Sequence, residues 1–480
     1  MKDEKEKSYA LTEKKENFSE WYNQIVRITG IIDHRYPVKG CEVLMPFGIE
    51  LLDNITEKLE KMLKDNGNKK VLFPLFIPES FLRKESEHIK GFEEEVYHVT
   101  HAGKNKLMEP LIIRPTSETA MYPMFSLWIR SHKDLPLKIF QTVSVFRYET
   151  KMTKPLVRMR EVMFFNESHT AHKNWEDAET EVKNAAKIYS DHFANNLAIP
   201  FIINKRPITD TFPGAVYTKA FDAIMPDGKS MQIGTVHNLG DNFSKAFNIE
   251  YIDENEEKKH VIQTCYGIST RALAAVIAIH GDDKGLVLPP QIAPVQIVII
   301  PVIFQKEKNR ILHESQSLYN KLKKNFRVHL DDRDQPIGSK FYDWEIKGIP
   351  LRIVIGPKEI EKNVITITRR LDNEKLTIDE KNVGKFIENL LENIQHDMLR
   401  KAQEYHKDKI IHASDKGEAK QAVEEKKFAA VSWCESMECA ETIEKEIDAS
   451  FIGYNSKQQD AKCINCKKAA EHIAYLGRKY

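Results

Sequence analysis

Residues 48–66 carry Leu52, Ile55, Leu59 and Met62 three or four positions apart, which predicts an amphipathic helix stopped by Gly67. Residues 71–77 read as a strand interrupted by Pro74. A proline cannot donate to a ladder, so that strand belongs at an edge or an interface. Residues 142–172, TVSVFRYETKMTKPLVRMREVMFFNESHTAH, hold two apolar runs, 143–146 and 162–165, on either side of Lys151, Lys154, Arg158 and Arg160. They predict an antiparallel hairpin with a basic tip. Residues 272–279 are apolar throughout and predict a buried helix.

The longest uncharged run, 285–305, contains Pro289, Pro290, Pro294 and Pro301. Four prolines argue against a spanning helix and for a linker over 288–294 that enters a buried strand, 295–301. Beyond it the pattern alternates: a helix over 306–325, a strand over 327–331, a helical turn or more over 340–347, strands over 351–355 and 364–368, and a helix over 383–400. Such alternation predicts a compact α/β domain. A charged helical stretch, 396–428, then leads into a cysteine-bearing tail. The expected division is 1–288, 289–400 and 401–480.

Composition changes this picture little. The chain has 480 residues, 41% hydrophobic and 30% charged, which fits a folded multidomain protein and excludes collagen-like and disordered classes. Its 72 basic and 71 acidic residues leave a net charge of +1, so any polyanion site must be a local cluster. Eleven charges among the first twenty residues exclude a secretory signal, and the expected location is cytoplasmic, with no membrane association. Six cysteines there default to thiols or metal ligands.

Cys434, Cys439, Cys463 and Cys466 form C-x4-C-x23-C-x2-C. Two close pairs of thiolates can surround one tetrahedral Zn²⁺ and leave no position for water, so a structural ion is expected, with disulfides or unliganded thiols as the alternative. Cys41 and Cys265 read as packing residues. His169 and His172 stand three apart, but no third ligand lies near them in sequence.

No Walker loop and no G-x-G-x-x-G after a strand is present. Arg147 and Glu149, two apart, share one strand face, and a guanidinium can grip a phosphate through paired hydrogen bonds. A solvated surface hairpin would look the same. GISTR, residues 267–271, opens the apolar helix and offers free N–H groups to an anion, although Arg271 opposes the helix dipole. In RPTSET, residues 114–119, Thr116 and Glu118 are again two apart, which a helix cap would also explain.

Taken together, these elements resemble the class II aminoacyl-tRNA synthetases. Arg147-x-Glu149 with Phe165 resembles motif 2, GISTR motif 3, and the long helix with the Pro74 strand motif 1, the dimer-forming element. The finer resemblance is to prolyl-tRNA synthetases of the archaeal and eukaryotic cytosolic type. It rests on RPTSE, HTAH (169–172), FPGAVYTKAFDA (212–223), MQIGTVHNLGDNF (231–243), DDRD…GSKFYDWEIKGIPLRIVIGP (331–357), the four-cysteine tail and Tyr480.

The resemblance implies an α+β catalytic domain with an antiparallel sheet flanked by helices, an α/β anticodon-binding domain and a small zinc-bearing C-terminal domain. It implies ATP-dependent attachment of L-proline to its tRNA, with Mg²⁺ accompanying ATP, in a homodimer. Arg147 would bind the α-phosphate and the proline carboxylate. Glu149 would accept from the adenine amino group, and Phe165 and Arg271 would sandwich the ring. Arg158 would reach the outer phosphates, and Gln232, Thr235 and Ser269 would hold ribose or backbone oxygens. Thr116 and Glu118 would take the prolinium N–H groups, with Phe212, His237 and His169 about the ring. Lys340, Glu345, Lys347 and Arg352 are candidates for anticodon readout.

About 90 residues separate the two motifs, too few for the bacterial editing insertion, so activation of alanine or cysteine is expected. The absence of a His/Cys ligand pattern in the catalytic half argues against a threonyl-type zinc pocket. An RNA-binding paralogue without catalysis, or a synthetase for another amino acid, are the alternatives.

Overall fold

The computed structural model describes residues 10–84, 95–457 and 461–480. Proline at its first turn starts the helix Pro46–Asp65, where a missing N–H is harmless, and Gly67 follows its end at φ +87°. This helix packs with Phe18–Ile28, Trp175–Asp191 and Arg271–His280 onto a large sheet. Trp21, Leu51, Ile55, Tyr189, Phe221 and Leu273 lie in their common core. Each fully buried aliphatic side chain there contributes about 1.5–3 kcal/mol. Arg271–His280 is apolar on all sides and is accordingly buried almost throughout.

The sheet runs, in spatial order, Ile202–Lys205, Tyr217–Ile224, Lys229–Gly240, Ile262–Ile268, Glu161–His172, Leu137–Phe146 and Lys69–Lys70. All neighbours are antiparallel except the last pair. Four C-terminal strands extend it. Ser450–Lys457 meets Ile202–Lys205 through Tyr454 and Lys205, and His472–Lys479, Phe428–Trp433 and Ile410–His412 follow. His472–Lys479 also pairs with the start of Lys229–Gly240, through Lys229 and Ser230. The C-terminal strands thus continue the large sheet.

A second sheet has the order Val328–Leu330, Ile297–Pro301, Leu351–Ile355, Val364–Arg369, Lys375–Asp379, parallel in its first two pairings and antiparallel in the last two. Ile297, Ile353, Ile367, Ile387 and Leu391 fill its core. The linker lies flat against this domain: Leu286 N donates to Ile346 O at 2.9 Å, and Leu288 N to Gly348 O at 3.1 Å. A Cβ on Gly348 would meet the Leu286 backbone at 2.5 Å, so only glycine permits that approach. Arg370 locks the junction with a two-pronged grip on Asp282, at 2.6 and 2.8 Å.

Several expectations need correction. Residues 71–77 are not one strand. Lys69–Lys70 and Phe76–Pro78 pair with different sheets, and the chain crosses between them at Pro74. The stretch 396–428 is not one helix. Val383–Asp408 ends it, and Ile410–His412 and Lys416–Glu424 precede Phe428–Trp433. The hairpin strands are longer than their apolar runs, at Leu137–Phe146 and Glu161–His172. Among the described residues no helix is long and apolar enough to cross a membrane.

Candidate active site

Two adjoining cavities open over the central strands. Arg147, Phe165, Gln232, Thr235 and Gly267 line both. Two bulges decide which side chains reach them. Opposite Val143 and Val145 the register shifts, and Phe164 takes φ +55°. Phe164 then packs against the core, and Phe165 faces the cavity. Opposite Phe221 and Asp222 the strand Lys229–Gly240 holds an extra residue. Gln232 and Thr235, an odd number apart, therefore line the same cavities, together with His237 in the second. Gly267 brings bare backbone against Phe165, where an added Cβ would stand 3.3 Å from the ring.

The first cavity is walled by the hairpin loop and the N-terminus of Arg271–His280. The helix start pins the loop: Thr270 Oγ1 donates to Leu156 O at 3.0 Å, and Arg271 Nε to Val157 O at 2.8 Å. Arg147 Nε donates to Pro115 O at 3.0 Å, and its guanidinium lies 5.9 Å from the Phe165 ring. Arg158 Nε stands 3.9 Å from Glu149 Oε2, and Arg160 binds the Glu149 carbonyl. Burial pushes Arg271 down to about 10, helped by the nearby Arg147 and Arg158 charges. Burial lowers Arg147 as well, against the pull of Glu95, Glu118, Glu149 and Glu167. Three guanidinium groups crowded on one cavity suit a polyanion. Ser269 lines the same cavity.

The second cavity, about 330 Å³, is lined by Thr116, Glu118, Glu167, His169, Phe212, Thr218, His237 and Cys265, among others. Thr116 Oγ1 donates to Glu118 Oε2 at 2.5 Å. Behind them Ser117 Oγ donates to Glu167, and Gln141 Nε2 donates to both Ser117 Oγ and Glu167 Oε1 at 2.9 Å. His169 joins Glu167 at 3.4 Å and the Tyr122 hydroxyl at 3.1 Å. Burial alone would raise the Glu167 carboxyl. The His169 hydrogen bond and charge, with Ser117 and Gln141, outweigh it and lower it. Burial alone would lower His169, and Glu167 and Glu118 outweigh it and raise it.

His237 is the opposite case. Burial, with His169 and Arg206, pushes it down to about 3, so it is neutral, with Thr218 Oγ1 at 2.8 Å on Nδ1 and Thr235 Oγ1 at 2.9 Å on Nε2. Its ring lies 4.7 Å from that of Phe212.

The structure therefore brings Thr116, Glu118, Arg147, Glu149, Arg158, Phe165, His169, Phe212, Gln232, Thr235, His237, Ser269 and Arg271 to one pair of cavities. Sequence reasoning missed Glu167, which the alternation Phe165, Glu167, His169 on one strand face could have exposed. Cys265 is not a packing residue alone: it lines the second cavity, and Glu118, His169 and Cys265 bring donor atoms within 4.8 Å of one another. The catalytic half thus does contain a His/Cys/Glu grouping, and His169 does have neighbours able to share a metal.

Lys340 does not join the other three anticodon candidates. It is 2% exposed, and its ammonium donates to Asp331 O at 3.0 Å. Glu345 and Arg352 line a small groove with Trp344 and Asn373, and the Lys347 ammonium lies 5.4 Å from the Trp344 ring.

The four tail cysteines lie within 4.8 Å of one another, with Cys434 and Cys466 sulfurs 3.6 Å apart and all four unbridged. A tetrahedron of Zn–S bonds near 2.3 Å has an edge of about 3.8 Å, so the donor set fits zinc. Tyr480 reaches back to the turn before Lys229–Gly240. Its hydroxyl donates to Asp227 at 3.0 Å, and its ring lies 5.2 Å from the ammonium of Lys154 in the hairpin loop.

Three family models match the chain: tRNA synthetase class II core domain (G, H, P, S and T) over residues 97–280, anticodon binding domain over 296–390, and prolyl-tRNA synthetase, C-terminal, over 417–480. A proline–tRNA ligase of Thermococcus kodakarensis is 46% identical over 97% of this chain and 98% of its own length. One of Methanosarcina mazei is 47% identical over 99% and 100%. The solved prolyl-tRNA synthetase of Giardia lamblia in complex with prolyl-adenylate superposes with a TM-score of 0.95 at 36% identity, over 98% of this chain and 100% of that one.

Proposed function

The chain belongs to the prolyl-tRNA synthetases of class II, it charges tRNA with proline in two ATP-dependent steps through an adenylate, and we propose that its paired cavities divide that work. The observation that carries this reading is the guanidinium of Arg147 at the wall common to both.

In the first step the proline carboxylate attacks the α-phosphate and pyrophosphate leaves. Arg147 holds both anions, which otherwise repel, in line. Phe165 and Arg271 sandwich the adenine and Glu149 accepts from its amino group. Arg158 takes the outer phosphates, and Gln232, Thr235 and Ser269 hold ribose or backbone oxygens. Mg²⁺ accompanies ATP and neutralises phosphate charge. Thr116 and Glu118 receive the prolinium N–H groups, the Thr116 hydroxyl proton being already engaged by Glu118. Phe212 and neutral His237 enclose the ring, with His169 behind Glu118. In the second step the terminal ribose hydroxyl of the tRNA attacks the adenylate carbonyl, and no protein nucleophile is needed.

Glu345, Lys347 and Arg352 are proposed for anticodon readout, and buried Lys340 is left out as the strut under Asp331. Zn²⁺ on Cys434, Cys439, Cys463 and Cys466 would supply structure only. The division 1–288, 289–400 and 401–480 is supported by three separate apolar cores, although Val383–Asp408 runs through the second boundary. A homodimer is supported by the exposed Leu72 (80%), Phe76, Leu127 and Trp128 beside the edge strand Lys69–Lys70. Its expected compartment is the cytoplasm.

Amino-acid-dependent ATP–pyrophosphate exchange, run with all twenty amino acids and no tRNA, tests the pocket. Strongest exchange with proline, and weaker exchange with alanine or cysteine, is the expected result. Exchange strongest with another amino acid would overturn the roles of Thr116, Glu118 and His237.

A further inference from the structure

Arg206 has no part in the roles above, yet it is 5% exposed and touches three structural units at once. It follows the strand Ile202–Lys205. Nη1 and Nη2 donate to the two oxygens of Asp222, both at 2.8 Å. Asp222 is fully buried and also accepts from Asn204 Nδ2 at 3.1 Å and Ser230 Oγ at 3.2 Å. Nη1 further donates to the carbonyl of Ile452, in the C-terminal strand Ser450–Lys457. Nη2 further donates to Gln232 Oε1 at 3.1 Å.

That last bond has a chemical consequence. A guanidinium carries donors only, so the end of the Gln232 amide facing Arg206 must be its oxygen. The amide nitrogen, the opposite end, is left for the cavities that Gln232 lines. Without Arg206 the amide is free to turn over and offer an acceptor instead. With it, Gln232 meets a ligand as an N–H donor, the polarity that a nucleotide rich in oxygen acceptors requires. The fork is rigid because Asp222 grips both its nitrogens, and it is anchored from a second side by Ile452.

We propose that Arg206 is a positioning residue that fixes Gln232 as a hydrogen-bond donor to an oxygen of the bound nucleotide. The inference rests on the reading of the first cavity as the ATP site. Lysine at 206 keeps a cation beside Asp222, but its single ammonium cannot hold both Asp222 oxygens, Gln232 and Ile452.

The test is a double-mutant cycle in the equilibrium Kd for ATP, measured by calorimetry on the full-length zinc-loaded protein. Arg206→Lys is expected to weaken ATP about tenfold, the scale of one oriented hydrogen bond, with the Kd for proline within about twofold of the parent. Gln232→Ala is expected to do the same. The double variant is expected to be no weaker than Gln232→Ala alone, because both changes remove one interaction. Parental ATP affinity in Arg206→Lys, or losses that multiply in the double variant, would overturn the proposal.

Should Arg206→Lys fail to fold, Arg206→Met with Asp222→Asn removes both charges of the buried pair together. It is read in the same cycle with the same criteria. The cycle does not depend on which amino acid is activated. A parent protein that binds ATP but exchanges pyrophosphate with another amino acid would undo the substrate assignment and leave this inference standing.

Discussion

The two cavities share a wall but are built in opposite ways. The side proposed for the nucleotide gathers Arg147, Arg158 and Arg271, and burial, with their mutual repulsion, holds Arg271 down to about 10. The amino-acid side gathers Glu118 and Glu167 within a buried lattice of Ser117, Gln141, His169 and Tyr122. Positive groups outnumber the single carboxylate, Glu149, on one side, and carboxylates outnumber the single guanidinium, Arg147, on the other. One is shaped by a loop pinned through its carbonyls, the other by strand residues that already bond one another. The contrast teaches that, on the proposed division of labour, charge selects what enters each side and the shared Arg147 sets where the two ligands meet.

Arg147→Ala should break that arrangement most severely. Both reacting anions lose their common partner, and proline-dependent pyrophosphate exchange should fall by about 10³-fold, the scale of removing one group that stabilises developing charge. Retention of more than about a tenth of the parental rate would mean that the junction lies elsewhere.

Glu118→Gln should be milder and one-sided. Loss of the charge facing prolinium should raise the KM for proline by about 10²-fold, as expected for a buried charge-assisted hydrogen bond. The KM for ATP should move less than about threefold. Equal rises in both constants would refute the division of labour between the cavities.

These expectations rest on features that were unevenly legible in the sequence. GISTR and the four tail cysteines could be read directly, because a helix start and short ligand spacings are local patterns. Arg147 and Glu149 do line one cavity, but they follow the strand that ends at Phe146 and do not share a strand face. Gln232 and Thr235 could not be placed on one face from spacing, since an odd separation implies opposite faces until the bulge is known. Phe165 against Phe164 turned on another bulge and a left-handed backbone. Cys265, Glu167 and Arg206 matter through partners such as Glu118, Ser117 and Ile452, which lie 50 or more positions away. The second half of Val383–Asp408 and the elements after it share a charged composition, and only the β-branched or apolar runs at 410–411 and 428–431 separate helix from strand.

The proposed zinc site sharpens the comparison from a distance. The C-terminal strand His472–Lys479 pairs with Lys229 and Ser230 at the start of the strand carrying Gln232, and Tyr480 touches Lys154 in the nucleotide loop. The amino-acid cavity is reached from the C-terminal strand through Lys479 and Asp210, at 2.8 Å. Chelation, or Cys463→Ser, should therefore raise the KM for ATP by about 3- to 10-fold, the worth of one or two such contacts, while the KM for proline changes less. Restored ATP affinity on adding Zn²⁺ would complete the test, and a rise confined to proline would reverse the wiring.

The smallest effect concerns protons. His237 is held down to about 3, and His172, His192, His280 and His406 are likewise depressed to between about 3 and about 4 by burial. Each stays neutral in the folded protein but takes up a proton in the unfolded chain below about pH 6.5. Stability from these groups is therefore complete above pH 6.5 and declines as pH falls toward 4, by about 1.4 kcal/mol per pH unit for each. His169 runs the other way. Its raised value stabilises the fold most below pH 6.5, and that contribution is lost as pH rises through the folded value. Glutamine at 237 can still bond Thr218 and Thr235 but binds no proton. In urea unfolding between pH 4.5 and 7, His237→Gln should flatten the acid decline by about 1.4 kcal/mol per pH unit and leave the slope above pH 7 unchanged. An unaltered acid slope would mean that His237 already carries its proton in the folded protein, and the amino-acid side would then hold a further cation, beside His169, where prolinium is meant to sit.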